Sequence, residues 1–333
     1  MHRVLAQGLD ALVLRWTARR AQLGKRTLWP DPDLVTSLRS GAFPPLDFSD
    51  PGPPTQVAVA PAPRNRLRRN GPDYHFHFPS TPTPALDHDT EVHGDLYLPS
   101  GGIRGATVVF PGAFTGANFG TELPVYDKVC RTFARGGIVA ALIDPPLHRR
   151  RTAPGVQSGH DLLHGDLFPY ARGVAQAVRD VQATIGWLEA NYGPTGLWGL
   201  SLGGLVASLV VVRDPRLAFA VLVQPPLGHE HAMESALTKQ WLLQLRESGV
   251  TEDDIAAIFR MLRTREAPAI GREKILIQAG RWDTVSSPAG IEEVWRAWGE
   301  PRLSWYEHSH TSIFLAANQW VAEGVSFSLS AMT

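Results

Sequence analysis

A serine between two glycines is the feature of this sequence that most directly indicates chemistry. In the segment TGLWGLSLGG, residues 195–204, Ser201 lies between Gly199 and Gly203, after a short apolar run and before a long one. The spacing G-x-S-x-G is typical of a strained strand-to-helix turn that lifts a serine hydroxyl off a sheet into a cleft. We therefore interpret Ser201 as a nucleophile rather than as the serine of a glycine-rich turn.

A carboxylate and a histidine must accompany such a serine, because its hydroxyl needs a base and the base needs an orienting acid. Asp283 directly follows a predicted strand in QAGRWDTVSSP, and sites form at the carboxyl ends of parallel strands. Asp214 is the rival, but it lies beside Pro215 at the far end of a predicted helix, where it more simply completes a turn. We therefore predict Asp283 as the acid.

Two histidines in YEHSHTSIF, His308 and His310, are candidates for the base. They are two residues apart and would point to the same face of a continuing strand. However, Thr311 and Ser312 are favourable N-cap residues, so His310 falls in the loop before a closing helix, where the base is expected. We predict His310 as the base, and we expect His308 to line the pocket or to pack beside the sheet.

Backbone N–H groups are expected to bind the oxyanion that forms during acyl transfer. The N–H of Leu202 is the first, because it lies at the N-terminus of the helix that follows Ser201. The second comes from the loop after ATVVF, where Ala113 is the candidate and Phe114 the alternative. Phe114 is also a candidate to contact the substrate.

Alternating strands and helices must position these residues. Buried apolar runs alternate with amphipathic patterns, which predicts an α/β fold with a mostly parallel sheet and helices on both faces. Polar–apolar alternation in the first two runs adds an antiparallel pair at one edge. The predicted strands are 74–80, 90–100, 106–114, 138–146, 195–201, 217–226, 273–283 and 302–310. The predicted helices are 2–24, 123–137, 169–193, 202–214, 288–299 and 312–329.

The chain divides into an N-terminal extension and a main domain. Residues 1–72 are predicted to hold an amphipathic helix and a proline-rich strap with one short helix, and residues 73–333 the α/β domain with a helical cap insertion at about 228–270. We expect the N-terminal helix to dock on the domain. The alternative is an interfacial arm that touches anionic lipid with the help of basic residues in the strap. These are Arg64, Arg66, Arg68 and Arg69.

The composition argues against several classes of protein. Among 333 residues, 32 Lys and Arg balance 32 Asp and Glu, so no net charge attracts nucleic acid. Cys130 is the single cysteine and cannot form an internal disulfide, which fits a cytoplasmic location. Asp10 interrupts the N-terminal apolar stretch, which argues against a signal peptide, and no run of about 18 apolar residues predicts a transmembrane helix.

A basic segment, PPLHRRRTAP, follows the fourth predicted strand. His148, Arg149 and Arg150 would then stand beside the cleft and bind an anionic part of the substrate, because guanidinium groups bind carboxylates and phosphates bidentately. A second interpretation is that the arginines tie down the loop through carboxylates and carbonyls. Two pairs of histidines, at positions 160 and 164 and at positions 229 and 231, lack a third ligand at zinc spacing, so we predict no metal site.

Four segments in chain order, VVFPGAF, GLSLGG, AGRWDTVSSP and EHSHTSIF, resemble those of the α/β-hydrolase superfamily over about residues 74–330. The segment DPPLHRRRTAPGVQSGH and the helix VAQAVRDVQATIGWLE resemble a branch related to the eukaryotic α/β-hydrolase domain-containing proteins. The superfamily resemblance implies an eight-stranded sheet, a serine–histidine–aspartate triad and ester hydrolysis without a cofactor. Pro111 departs from the superfamily's usual His-Gly pair in the loop that carries Ala113.

These observations predict a serine esterase or lipase-like enzyme that hydrolyses small or medium carboxylic esters through an acyl-enzyme on Ser201. We expect a small-molecule ester substrate, no cofactor and no nucleic-acid partner. A rival hypothesis is a lipid acylhydrolase that makes a peripheral membrane contact through the N-terminal helix. The same scaffold and residues would also serve an acyltransferase or a non-catalytic binding protein.

Overall fold

A nine-stranded sheet forms the centre of the structure. The strands are β1 Ala58–Pro61, β2 Tyr74–Pro79, β3 Glu91–Tyr97, β4 Gly105–Phe110, β5 Ile138–Ile143, β6 Thr195–Leu200, β7 Ala220–Val223, β8 Ile275–Gly280 and β9 Arg302–Tyr306. The computed structural model describes residues 2–23, 31–63, 71–80, 85–113, 122–163, 167–228, 231, 233–236, 238–239, 249–264 and 266–332.

The strand order places an antiparallel edge beside a parallel centre. The order is β1-β2-β3-β5-β4-β6-β7-β8-β9. Strands β1, β2 and β3 pair antiparallel, and β3 pairs antiparallel with β5. All the other neighbouring strands are parallel. The eight predicted strands and the antiparallel edge are confirmed, and the central strands are buried throughout, as expected for a sheet covered on both faces.

Strand β1 is the one addition to the eight strands that the sequence predicts. Its four residues are exposed, and it pairs with β2 at the edge of the sheet. A short, exposed edge strand that ends in proline has no alternation of burial for a sequence pattern to reveal. The sheet therefore extends into the proline-rich strap, which the sequence suggested was irregular apart from one short helix.

Helices cover both faces of the sheet. Among the described residues the helices are α1 Arg3–Leu23, α2 Pro32–Arg39, α3 Glu122–Arg135, α4 His160–Leu163, α5 Leu167–Tyr192, α6 Leu202–Val211, α7 Glu252–Met261, α8 Pro288–Ala297 and α9 Ala317–Ala331. The larger apolar core lies under α5, α6 and α8, and the smaller one, on the other face, lies under α3 and α9. The closing helix, predicted from residue 312, begins instead with a 3-10 turn, Ser312–Ala316.

The N-terminal helix α1 contacts the domain through Ala6 and Asp10, and not through its most apolar side chains. Ala6 and Asp10 are buried, whereas the apolar side chains of Val4, Leu5 and Leu12 are 64–69% exposed. No helix among the described residues is both long enough and apolar enough to cross a bilayer.

Candidate active site

Ser201 lies in a strained turn between β6 and α6. Its backbone has φ 55° and ψ −112°, and a positive φ is rare for a residue with a side chain. The turn is held on both sides: Ser201 N–H donates to the carbonyl oxygen of Val223 at 2.8 Å, and its own carbonyl accepts from Leu205 N–H at 3.0 Å. Strain of this kind persists where the surrounding structure imposes it, and it is concentrated at functional sites.

Two glycines make the turn sterically possible. A Cβ at Gly199 would overlap the carbonyl of Gly203, and a Cβ at Gly203 would overlap the carbonyl oxygen of Phe110 at the end of β4. Helix α6 therefore approaches β4 so closely that its first turn has no room for a side chain on that side. This packing brings the residues after β4 beside the residues after β6.

We expect Gly203→Ala to lower both stability and any activity of the site. The new methyl group would overlap Phe110 and lie 2.9 Å from the carbonyl oxygen of Pro111, so α6 must shift away from the loop after β4. Overpacking of this kind costs about 1–3 kcal/mol. Displacement of one oxyanion donor lowers kcat by about 100-fold. Urea denaturation and the rate of ester hydrolysis measure the two effects.

Gly324→Ala is the matched control for that substitution. Gly324 lies in α9, and the nearest atom to a Cβ there is 3.4 Å away, which is an ordinary contact. This control should gain stability from the higher helix propensity of alanine and keep full activity. Equal losses in both variants would contradict the steric argument.

The structure brings the three predicted residues Ser201, His310 and Asp283 into one hydrogen-bonded relay. Ser201 Oγ lies 2.9 Å from His310 Nε2, and His310 Nδ1 lies 2.8 Å from Asp283 Oδ2. The three residues follow β6, β9 and β8, which are parallel strands in one half of the sheet. Chemically, this arrangement can move the serine proton to the imidazole while the carboxylate holds the opposite nitrogen.

Backbone donors fix the orientation of the Asp283 carboxylate. Its Oδ1 accepts the N–H groups of Val285 and Ser286 at 2.7 Å each, which leaves Oδ2 for the imidazole. The Asp283 side chain is fully buried. Burial raises the pKa of the Asp283 carboxyl, and the nearby imidazole and the two backbone donors oppose that effect.

His310 is largely buried, with 17% of its side chain exposed. Burial favours the neutral imidazole, but the negative charge and hydrogen bond of Asp283, together with the charge of Asp10, outweigh it and hold the pKa of His310 above its ordinary value. An imidazole of this kind accepts a proton readily. Its neutral form, which is the form that can act as a base, grows in population as the pH rises through that raised pKa.

The predicted oxyanion donors Leu202 and Ala113 both border the cavity beside Ser201. Leu202 is the first residue of α6, where backbone N–H groups have no partner within the helix. The loop that carries Ala113 is held by Gly112 N–H, which donates to the Tyr126 hydroxyl at 2.8 Å. Phe114, the second candidate for this donor and a candidate substrate contact, lies outside the described residues.

A cavity with a mostly apolar lining lies beside Ser201. Helix α7 and the residues after it, which belong to the predicted cap, form one wall with Phe259, Leu262 and Arg263. The cap prediction otherwise falls mainly on residues outside the described ranges. Apolar side chains on the other walls include Leu163, Tyr170, Leu205 and Leu227.

The arginines after β5 bind carboxylates. Arg149 and Arg150 both pair with Asp144 and Asp95, at 2.5–3.1 Å, and both aspartates are fully buried. Burial lowers the pKa of His148 to about 4, so its ring is neutral at neutral pH. These contacts agree with the interpretation in which the arginines tie down the loop. None of the three side chains is among the described residues that line the cavity.

The remaining candidate residues, His308, Asp214 and His160, each have a polar contact within the protein. His308 Nδ1 is 3.3 Å from Ser312 Oγ, and His308 is not among the described residues that line the cavity. Asp214 binds the Arg216 guanidinium at 2.6 and 2.9 Å, at the far end of α6. His160 Nδ1 lies 3.2 Å from its neighbour Asp161. Within the described residues no group of three or more His, Cys, Asp or Glu side chains is placed to hold a metal ion.

Two residues that support the relay were not among the predicted site residues. Gln224, at the end of β7, has φ 50°, and its side chain donates to the carbonyl of Ser309 at 3.1 Å. Asp10 of α1 accepts the backbone N–H of His310 at 3.2 Å. The sequence signal for Gln224 was a polar residue directly after an apolar strand. The signal for Asp10 was a single carboxylate within an apolar helical stretch.

Comparisons with solved structures define the class of fold. The acetyl xylan esterase from Paenibacillus sp. R4 has a TM-score of 0.57 at 15% identity, over 92% of this chain and 98% of that chain. Acetyl xylan esterase 1 from Thermoanaerobacterium sp. JW/SL YS485 has a TM-score of 0.57 at 13% identity, over 95% and 98%. The Pyrococcus furiosus esterase Pf2001 has a TM-score of 0.51 at 14% identity, over 84% and 100%. The chain has the α/β-hydrolase fold.

Sequence relatives are fewer, and no protein-family model matches the chain. An uncharacterized protein of Mycobacterium tuberculosis, found in strains CDC 1551 / Oshkosh and ATCC 25618 / H37Rv, is 30% identical over 182 residues. The match covers 51% of this chain and 41% of the relative, so it spans less than half the length of the curated relatives.

Proposed function

We propose that this protein is a carboxylic ester hydrolase that forms an acyl-enzyme on Ser201. The observation that carries the proposal is the relay Ser201–His310–Asp283, with distances of 2.9 and 2.8 Å, at the edge of a cavity that Leu202 and Ala113 also border. Nucleophile, base, orienting acid and two oxyanion donors are the parts that acyl transfer needs. Esterases among the structures of the same fold support the ester as the substrate class.

The geometry assigns each step to a named atom. Ser201 Oγ attacks the acyl carbon while His310 Nε2, 2.9 Å away, takes the hydroxyl proton. The N–H groups of Leu202 and Ala113 stabilise the negative oxygen of the tetrahedral intermediate. Nε2 then gives the proton to the leaving alcohol, and the acyl group stays on Ser201. Water, deprotonated by His310, releases the acid and restores the serine.

The apolar lining of the cavity favours an apolar acyl group as the buried part of the substrate. Five leucines line the cavity together with Tyr170, Phe259 and Val285, and Arg263 is the charged residue among the described lining residues. Each buried methylene of a ligand contributes about 0.8 kcal/mol in such surroundings. We therefore propose esters of small or medium acyl chains, whose apolar part fits into the cavity while the carbonyl stays at Ser201.

Labelling with a fluorophosphonate tests the proposal directly, because this reagent reacts with a serine only when a base activates it. We expect rapid labelling, mapped to the peptide that carries Ser201, followed by hydrolysis of p-nitrophenyl esters whose rate changes with chain length. Boiled protein is the control for unspecific reaction. Absence of labelling and of hydrolysis across the series would contradict the proposal.

A membrane-surface lipid acylhydrolase is the second candidate, and the exposed face of α1 favours it. Leu5 and Leu12 are 69% and 64% exposed and lie seven residues apart, on one face of the helix. Arg3 and Arg15 on the same helix are exposed as well. An apolar stripe with basic residues beside it fits the surface of an anionic bilayer.

A double substitution, Leu5→Ser with Leu12→Ser, separates the two candidates without disturbing Asp10. If α1 binds membranes, the bound fraction on phosphatidylglycerol vesicles falls by about tenfold or more, because the two leucines that would insert into the bilayer are lost. Hydrolysis of soluble p-nitrophenyl esters stays unchanged. Val59→Ser, at an exposed apolar residue of β1, is the matched control. Co-sedimentation measures binding, and an identical bound fraction in all three proteins would argue against the second candidate.

A further inference from the structure

Asp10 is a buried carboxylate in a helix whose neighbouring side chains are exposed. It is 1% exposed, although α1 lies at the surface and Leu5 and Leu12 on its outer side face solvent. A carboxylate is removed from water only where hydrogen bonds or charges compensate for the lost hydration. The partners of Asp10 therefore show what this residue does in the fold.

One set of partners lies in the loop that carries His310. Asp10 Oδ1 accepts the N–H of Thr311 at 2.8 Å, and Oδ2 accepts the N–H of His310 at 3.2 Å. Ser309 Oγ lies 2.8 Å from Asp10 Oδ1 and also 2.8 Å from the carbonyl oxygen of Ala6. Three consecutive residues of the loop thus contact one turn of α1.

A second set of partners lies in the loop that carries Asp283. The Thr284 hydroxyl donates to Asp10 Oδ2 at 3.0 Å, and Thr284 N–H approaches the same oxygen at 3.4 Å. Thr284 is the next residue after Asp283. The single carboxylate of Asp10 therefore connects the loop of the orienting acid with the loop of the base, from a helix about 270–300 residues earlier in the chain.

We propose that Asp10 is a positioning residue of the site: its carboxylate holds the Asp283 and His310 loops at the separation that lets one imidazole reach both Asp283 and Ser201. The inference deepens the proposed function and rests on it. Asp10 does not touch the reacting atoms. It acts on the backbone of His310 and on the neighbour of Asp283, and it makes α1 a part of the active site.

The charge of Asp10 has a second effect, on the protonation of His310. The titratable groups whose charge acts on this imidazole are Asp283, after β8, and Asp10, in α1, and both raise the pKa of His310. Imidazolium forms when His310 takes the serine proton, so a second negative charge stabilises the state that the reaction passes through. A purely structural contact would not have this effect.

Asp10→Asn tests both effects while the shape of the side chain is kept. An amide has one oxygen, so its NH2 group must face either the Thr311 and Ser309 donors or the Thr284 and His310 donors. We expect the pKa of His310 to fall, because one of the two negative charges that raise it is removed. We also expect kcat to fall by about tenfold with KM unchanged, because the relay loses its alignment.

The measurement is a titration of the full-length protein by NMR with labelled histidine, in which His310→Gln identifies the His310 signal. Asp33→Asn, at an exposed residue of α2, removes the same charge far from the relay and should leave the titration unchanged. Thr284→Val keeps the charge of Asp10 but removes one bond to the Asp283 loop. This variant should lower kcat and leave the pKa of His310 near its wild-type value.

The outcomes separate this inference from the proposed function. A folded Asp10→Asn protein with wild-type His310 titration and wild-type fluorophosphonate reaction rate would overturn the inference. If the wild-type protein failed to react with the fluorophosphonate, the proposed function would fail, and the titration would still decide whether Asp10 acts on His310. If Asp10→Asn lost only thermal stability, with an unchanged titration and reaction rate, Asp10 would be a structural residue and the inference would fall.

Discussion

We expect Ser201→Ala to lower kcat for ester hydrolysis by about a millionfold and to abolish fluorophosphonate labelling. Ser201 Oγ is the hydroxyl 2.9 Å from His310 Nε2, so its removal leaves the base without the proton that it is placed to accept. The apolar cavity and the backbone N–H groups of Leu202 and Ala113 remain, and they account for any residual rate above that in water. Steady-state kinetics with a p-nitrophenyl ester and gel fluorescence of the labelled protein measure the two losses.

Ser208→Ala is the matched control for Ser201→Ala. Ser208 lies in α6, the helix that begins directly after Ser201; it is fully buried and donates its hydroxyl to the carbonyl of Leu205 at 2.6 Å. The control should keep its activity and its label. Ser235 and Ser287 also border the cavity. Labelling of either serine in the Ser201→Ala protein at the wild-type rate would contradict the assignment of the nucleophile.

The parts of the site that lie within one strand and its following loop could be predicted from the sequence. A parallel strand buried on both faces is a continuous apolar run, and the first residues after it lie at the edge where sites form. Ser201 and Asp283 follow β6 and β8 in this way, and His310 follows β9 after a short loop. Local pattern and topology together were enough to predict that these three residues meet.

Contacts between distant segments could not be predicted in the same way. Asp10 and Ser309 are 299 residues apart, and no periodicity of either segment indicates that they pair. The apolar stripe of α1 pointed to the opposite face as the docking face, because a hydrophobic stripe normally packs on a core. The structure instead buries Ala6 and Asp10, and hydrogen bonds of the Asp10 carboxylate connect this helix to the domain.

The arginines after β5 show a related difficulty. Three consecutive arginines beside a predicted site suggest an anion receptor, but their role depends on which carboxylates the fold brings to them. Asp95 lies in β3 and Asp144 follows β5, and the antiparallel pairing of these two strands places both carboxylates beneath the arginines. A cluster of like charges in a sequence therefore does not show whether its counter-charges are in the protein or in a ligand.

We expect Asp283→Asn to lower kcat by about ten-thousandfold while the fold is kept. Asp283 Oδ1 accepts two backbone N–H groups at 2.7 Å, so the oxygen of an asparagine must stay on that side and its NH2 group must face His310 Nδ1. An NH2 group can only donate, which forces Nδ1 to accept and moves the imidazole proton to Nε2. Nε2 then donates to Ser201 instead of accepting from it. The kinetics of ester hydrolysis and the nitrogen chemical shifts of His310 measure the loss and the changed tautomer.

Asp214→Asn is the matched control for this second substitution, because Asp214 is the rival carboxylate for the acid and is also buried. Its bonds go to Arg216, at the far end of α6, so its loss should cost stability and leave kcat unchanged. If Asp283→Asn kept wild-type kcat with its fold intact, the imidazole would not depend on this carboxylate for its tautomer. Asp10, which is unchanged in that variant, would then be the remaining carboxylate that stabilises the charged form of the base. Asp283→Asn and Asp10→Asn together therefore measure how much each of the two carboxylates near His310 contributes to the tautomer and the charge of the base.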